Sequence, residues 1–233
     1  MLEHSLEILR RLHAAEVDFG RFVNGLTAVL RIGAYQAAAA HLLPETIHRF
    51  GASHPDVQIE LTHATGDFEL LRHLEAGELD LTYATAPLPE GPFEATALLR
   101  DEYVVVVRRN GSPSIVAPPT LAELSQLPLI VFRSCRHIRA IEEALQAGGV
   151  RLNVVLRSDD NATVRELVAA GEGIGLMPRM AYEDDQRLRT VQAPAEIPPR
   201  TALIVGDSER IPSGAAQEFL DAARAAAASF RPA

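Results

Sequence analysis

Apolar positions over residues 1 to 23 recur at helical spacing. Ile8, Leu12, Ala15, Phe19 and Phe22 fall on one stripe, and Leu2, Leu6 and Leu9 widen it. Such a helix buries its stripe either on its own domain or against a second subunit. Asn24-Gly25 ends it. Leu26 to Ile32 (LTAVLRI) then predicts a strand, with Gly33 and Ala34 as its tight exit. Ala37 to Phe50 predicts a helix with Leu42, Leu43, Ile47 and Phe50 inward. Asp56 to Thr62 alternates Val57, Ile59 and Leu61, the period of a half-buried strand. Phe68 to Ala76 predicts a helix and Leu79 to Tyr83 a third strand. Strand–helix–strand–helix–strand is the grammar of a parallel sheet covered by helices.

A proline-rich loop (Pro87, Pro89, Pro92) leads into an extended stretch, Phe93 to Arg109, whose YVVVV segment (Tyr103 to Val107) is strongly β-prone. Pro113, Pro118 and Pro119 mark another connection, followed by a short helix, Leu121 to Leu124. The grammar then repeats. Strands are predicted at Leu127 to Phe132, Val154 to Arg157 and Ile174 to Met177, with helices at Ile138 to Ala147 and Thr163 to Ala170 between them. Leu188 to Val191 and Thr201 to Val205 add short strands. Ser213 is the expected N-cap of an Ala-rich final helix, Gly214 to Ser229. Two such modules predict two α/β lobes with a cleft between them, and ligands there sit beyond the carboxyl ends of the strands.

Composition narrows this further. The 233 residues are 47% hydrophobic and 23% charged, those of an ordinary globular protein long enough for a sizeable core. Net charge is −9, and all 22 basic residues are Arg. An acidic surface repels phosphate backbones and offers no basic stripe to a membrane. Cys135 is the sole cysteine, so no disulfide forms within the chain, which fits a reducing cytosol. The N-terminus has no apolar signal-peptide core, and the expectation is a cytoplasmic protein without membrane contact.

Most chemistry is disfavoured by spacing. The eight His form no HExxH or HxH pattern, so no metal or cofactor is expected. There is no GxSxG elbow. Cys135 and His137 are too close along a turn for a working dyad. Gly171-Glu172-Gly173-Ile174-Gly175 looks like part of a dinucleotide fingerprint, but it follows a helix and enters a strand, the reverse of the required order. It fits a helix C-cap at Gly171 instead. Asp159-Asp160-Asn161 precedes a helix and suits capping, with Thr163 and Glu166 as a capping box.

Three ordered segments carry a family resemblance. Gly25-Leu26 to Gly33, Leu42-Leu43-Pro44, Phe50 and Pro55-Asp56-Val57 resemble the start of the effector-binding domain of LysR-type transcriptional regulators. Gly77-Glu78-Leu79-Asp80-Leu81 is similar to that family's GELDL turn, and Leu167 to Pro178 to its LVAAGxGIxLLP segment. The resemblance implies an α/β, two-lobe, type 2 periplasmic-binding-protein-like fold with two crossover strands, near Tyr103 to Val107 and Thr201 to Val205. It implies a linker and dimerisation helix over 1–24, lobe I over 25–103 plus 205–233, and lobe II over 104–204. The family carries a winged helix-turn-helix ahead of its linker helix. This chain starts within the linker, so DNA would be met only through that absent module.

The resemblance further implies a small-molecule effector, an organic acid by family analogy, held between the lobes of a homodimer or homotetramer. Contacts are expected at strand exits. In lobe I these are Ala34, Tyr35, Gln36, Thr65, Tyr83 and Thr85; in lobe II they are Arg133, Ser134, Cys135, Asp160, Asn161, Met177 and Pro178. Arg133 is the expected carboxylate clamp, against the alternative of a surface residue paired with a nearby acid. The family often has Ser or Thr near positions 35 and 36, so Tyr35-Gln36 points to a different, bulkier ligand. Competing readings are a transport solute-binding protein, which needs a secretion signal, and an enzyme on the same fold, which needs a convergent acid–base set. Neither feature is found in the chain.

Overall fold

Alternation of apolar and polar residues becomes two five-stranded sheets in the computed structural model, which describes residues 29–111, 115–133 and 136–230. The expected linker helix over 1–24 lies outside the described residues. One unit runs to Leu98 and resumes over Leu203–Phe230, and the other takes Leu99–Ala202. The chain thus passes between units inside β4 (Phe93–Asp101) and inside β10 (Arg200–Asp207). The first crossing falls earlier than the expected Tyr103 to Val107, which is instead a central strand, β5 (Tyr103–Arg108), paired on both sides.

The first sheet has the order β2-β1-β3-β10-β4. β1 (Val29–Tyr35) runs parallel to β2 (Gln58–Ala64) and to β3 (Leu81–Thr85). Gly33 and Ala34, expected to be an exit, continue β1. Gly33 sits where a Cβ would fall 2.4 Å from Thr82 Oγ1, so the close approach of β3 selects glycine. The GELDL segment has a mechanical role. Asp80 accepts from the Arg31 amide at 2.7 Å and from its Nη2 at 2.8 Å, while Arg31 Nη1 donates to the Gly77 carbonyl at 2.9 Å. One motif thereby ties the entry of β3 to the middle of β1.

The helix expected over Ala37 to Phe50 is two helices, Gln36–His41 and Leu43–Ser53, broken at Leu42. Pro44 supplies no amide proton and clashes with a continuing helix, which accounts for the break. The Leu43–Ser53 helix packs on the final helix, Gly214–Ser229. Phe50 meets Phe219 edge-on at 5.4 Å, and His54 Nε2 lies 3.2 Å from Glu218. Ser213 caps that helix by accepting from the Ala216 amide, as its sequence predicts.

The second sheet has the order β7-β6-β8-β5-β9. β6 (Leu129–Phe132) is parallel to β7 (Val154–Ser158) and β8 (Ile174–Pro178), and β5 is antiparallel to β8 and β9 (Leu188–Gln192). Tyr103, Val105, Val107, Val131 and Leu176 form one core with Leu124, Ile138 and Ile141 from the Leu121–Gln126 and Arg136–Ala147 helices. Gly171 ends the Asn161–Ala170 helix at φ 92°, the left-handed cap its sequence predicts. The expected Thr163–Glu166 capping box does not form. Thr163 is already three residues inside, Asp160 is the cap, and Glu166 pairs with Arg187.

Candidate functional site

Parallel strands put their carboxyl ends, and hence their exits, at one edge of each sheet. In the first unit Tyr35 at the end of β1 stands level with Ala64 at the end of β2. Tyr35 is also the N-cap of the Gln36–His41 helix and makes no side-chain cap bond there. Gln36 is half-buried and Thr65 exposed, while Tyr35 is 6% exposed. Ala34 is fully buried.

Tyr83 is a core residue. It is 0% exposed, and its hydroxyl shares a 2.9 Å hydrogen bond with Thr46 in the Leu43–Ser53 helix. Burial pushes its phenol up to about 12, against the smaller opposing pull of Thr46. Thr85 is likewise committed: its amide and hydroxyl donate to one Asp67 oxygen at 2.9 and 2.6 Å. Asp67 and Glu69 already occupy the first turn of the Asp67–Glu75 helix, so that helix start repels a further anion. Asp67 and Thr46 are not among the residues expected from the sequence. Asp67 follows Gly66 at a helix start, a signal for a first-turn acid; nothing local marks Thr46.

In the second unit β6, β7 and β8 exit together. Arg133 donates its amide to the Ser158 carbonyl at 2.8 Å, extending the β6–β7 ladder. Its Nη1 lies 3.5 Å from Asp159, and both side chains are about half exposed. That pair is loose and solvated, the kind that contributes ~0–1 kcal/mol. Ser134 and Cys135 lie outside the described residues. Asp160 turns its carboxylate back to the Thr163 amide and hydroxyl at 2.8 and 2.7 Å. Asn161 is 7% exposed at the first position of the helix. Met177 and Pro178 pair with Val104 and Tyr103, and Met177 packs in the core.

Polar groups thus stand at the strand exits of each unit, with Gln36 and Thr65 in the first and the exposed Arg133 and buried Asn161 in the second. Among the described residues no group of three His, Cys, Asp or Glu is placed to hold a metal ion. No described helix is long and apolar enough to cross a membrane. Residues 24–228 match the model of the LysR substrate binding domain. The chain belongs to the LysR substrate-binding domain family. The HTH-type transcriptional regulator cbl of Escherichia coli (strain K12) is 30% identical over 167 residues, 71% of this chain and 52% of that protein. This LysR domain therefore spans about half the length of that regulator. Among solved structures, the cofactor-binding domain of the Cbl transcriptional regulator matches with a TM-score of 0.78 at 24% identity, over 85% of this chain and 89% of that one. The effector-binding domain of QuiR in complex with shikimate matches with a TM-score of 0.75 at 20% identity, over 88% and 99%. Both likenesses carry the two-lobe, periplasmic-binding-protein-like fold.

Proposed function

We propose that this LysR domain senses a small organic acid and passes its occupancy to transcription. The observation that carries the reading is the LysR substrate-binding match over residues 24–228. The ligand class is supported by two features. Gln36 and Thr65 are polar side chains at the exits of β1 and β2, and Arg133 stands exposed at the exit of β6, 3.5 Å from Asp159 and 3.5 Å from the Arg157 carbonyl. Amide and hydroxyl donors and a guanidinium all suit a carboxylate. Shikimate, the acid held by the QuiR domain, is the natural first probe.

Tyr35, Gln36 and Thr65 contact the acid from the first unit, and Arg133, Ser134, Cys135 and Asn161 from the second. Ala34, Tyr83, Thr85, Asp160, Met177 and Pro178 act behind them by fixing the strand ends. Binding favours one arrangement of the regulator over another. The shift equals the acid's differential affinity for the two, ordinarily ~1–3 kcal/mol. The regulator works in the cytoplasm as a homodimer or homotetramer, reads DNA through a winged helix-turn-helix module, and turns over no substrate.

The test is calorimetric titration with shikimate, benzoate and succinate. At least one acid is expected to bind saturably and to be recovered unchanged. Arg133→Gln should weaken that acid about tenfold or more, the effect of losing a charged hydrogen-bond partner, while leaving the melting temperature nearly unmoved. Conversion of the acid to product, or an affinity indifferent to Arg133→Gln, overturns the proposal.

A further inference from the structure

The second unit carries an open groove of about 640 Å³ whose lining includes none of the expected effector contacts. It involves the edge strand β9 and is lined by Arg109, Arg179, Arg189, Tyr182 and Thr190 together with Asp184 and Asp185. Three arginines from three separate segments line one space. Arg109 follows β5 and is anchored by its amide to the Arg187 carbonyl at 2.8 Å and by its Nε to the Gln186 carbonyl at 3.0 Å. Arg179 follows β8 and donates Nη1 to Thr190 Oγ1 at 2.6 Å. Arg189 lies within β9, opposite Val107, and its buried Nε has no hydrogen-bond acceptor among the described residues. A buried guanidinium donor without an acceptor is costly, and an incoming oxyanion removes that cost.

The acids of the lining do not cancel this charge equally. Asp185 is taken up by Arg187, which also grips Glu166, and this pairing holds the Asp185 carboxyl down at about 2. Asp184 is the other acid of the lining. Burial raises the Tyr182 phenol, so it remains a hydrogen-bond donor at neutral pH.

We propose that this groove is a second anion site, independent of the effector contacts, that takes a compact polyanion of the diphosphate type. The space exceeds what a single oxyanion fills, and guanidinium forks match phosphate oxygens bidentately. A single phosphate or sulfate fills little of that space and meets few of its arginines, whereas two linked phosphoryl groups can engage more than one.

Titration with inorganic pyrophosphate at low ionic strength tests the proposal. Saturable binding is expected, weakened about tenfold by Arg189→Gln and again by Arg109→Gln, weakened by added salt, and unaffected by Arg133→Gln. Arg109→Lys, which keeps the charge, should retain more affinity than Arg109→Gln, which guards against a mere folding defect. Absence of saturation in the low millimolar range overturns the site. So does loss of binding in Arg133→Gln with none in Arg189→Gln, which would assign pyrophosphate to the strand exits. A failure here leaves the organic-acid titration untouched, because the two use different residues.

Discussion

Asp101 and Arg200 make a buried ion pair in the second unit, and its removal is the most informative stability experiment. Their side chains are 2% and 7% exposed. Arg200 Nε donates to Asp101 Oδ2 at 2.9 Å, and the other carboxylate oxygen accepts from the Met180 amide at 2.8 Å. Asp101 is the last residue of β4 and Arg200 the first of β10, so one carboxylate ties both crossing strands to the turn that follows β8. Asp101→Ala removes the carboxylate partner of a buried guanidinium, which costs ~3–5 kcal/mol. It also removes the Met180 acceptor, worth ~1–3 kcal/mol. Since neighbouring losses are not additive, the expected total is about 4–5 kcal/mol. At ~2–4 °C per kcal/mol for a chain of this size, the melting temperature falls by roughly 10–15 °C. Circular dichroism melts of Asp101→Ala, Arg200→Met and the double variant measure it. The double variant should lose clearly less than the sum, because removing both charges leaves none uncompensated. A drop of under about 3 °C in Asp101→Ala, or strict additivity in the double variant, would refute the reasoning.

Two further predictions concern the first unit. Gly33→Ala places a Cβ 2.4 Å from Thr82 Oγ1 and 2.7 Å from Leu79 Cδ1. It should cost ~1–3 kcal/mol in urea unfolding, part of it recovered by adding Thr82→Ala; an unchanged midpoint would count against the packing described. Tyr83 couples stability to alkaline pH. Its folded value of about 12 lies above the ordinary 10.0, so the neutral phenol is favoured in the native state. That stability, ~2–3 kcal/mol for such a shift, is fully present below pH 10 and lost as pH rises through 12. Tyr83→Phe should therefore flatten the alkaline limb, at a cost of only ~0.5–1.5 kcal/mol at neutral pH, because Thr46 keeps its 2.8 Å bond to the Leu42 carbonyl. Equal slopes in both proteins would sink this account.

Local periodicity made the elements legible, because strands and helices follow from alternation and stripe over a few residues. The final helix and its Ser213 cap fall where the sequence puts them, as does the Gly171 cap. Boundaries moved where nonlocal contacts decide. β1 continues through Gly33 and Ala34 because β3 packs against them, and the first crossing lies in β4 because β5 is paired on both sides. Site residues were less legible. Exit position along a strand is a local property, but side-chain direction alternates residue by residue, so Tyr83 and Met177 turn into cores. The Asp101–Arg200 pair joins residues 99 apart, and the arginine groove assembles three segments that no local pattern links.

Amide chemical-shift mapping with the tightest-binding acid among shikimate, benzoate and succinate tests the central claim most directly. The account predicts saturable shifts at Tyr35, Gln36 and Thr65 in one unit and at Arg133 and Asn161 in the other. Shifts confined to the groove around Arg109 and Arg189, or no saturable shift with any of these acids, would contradict it.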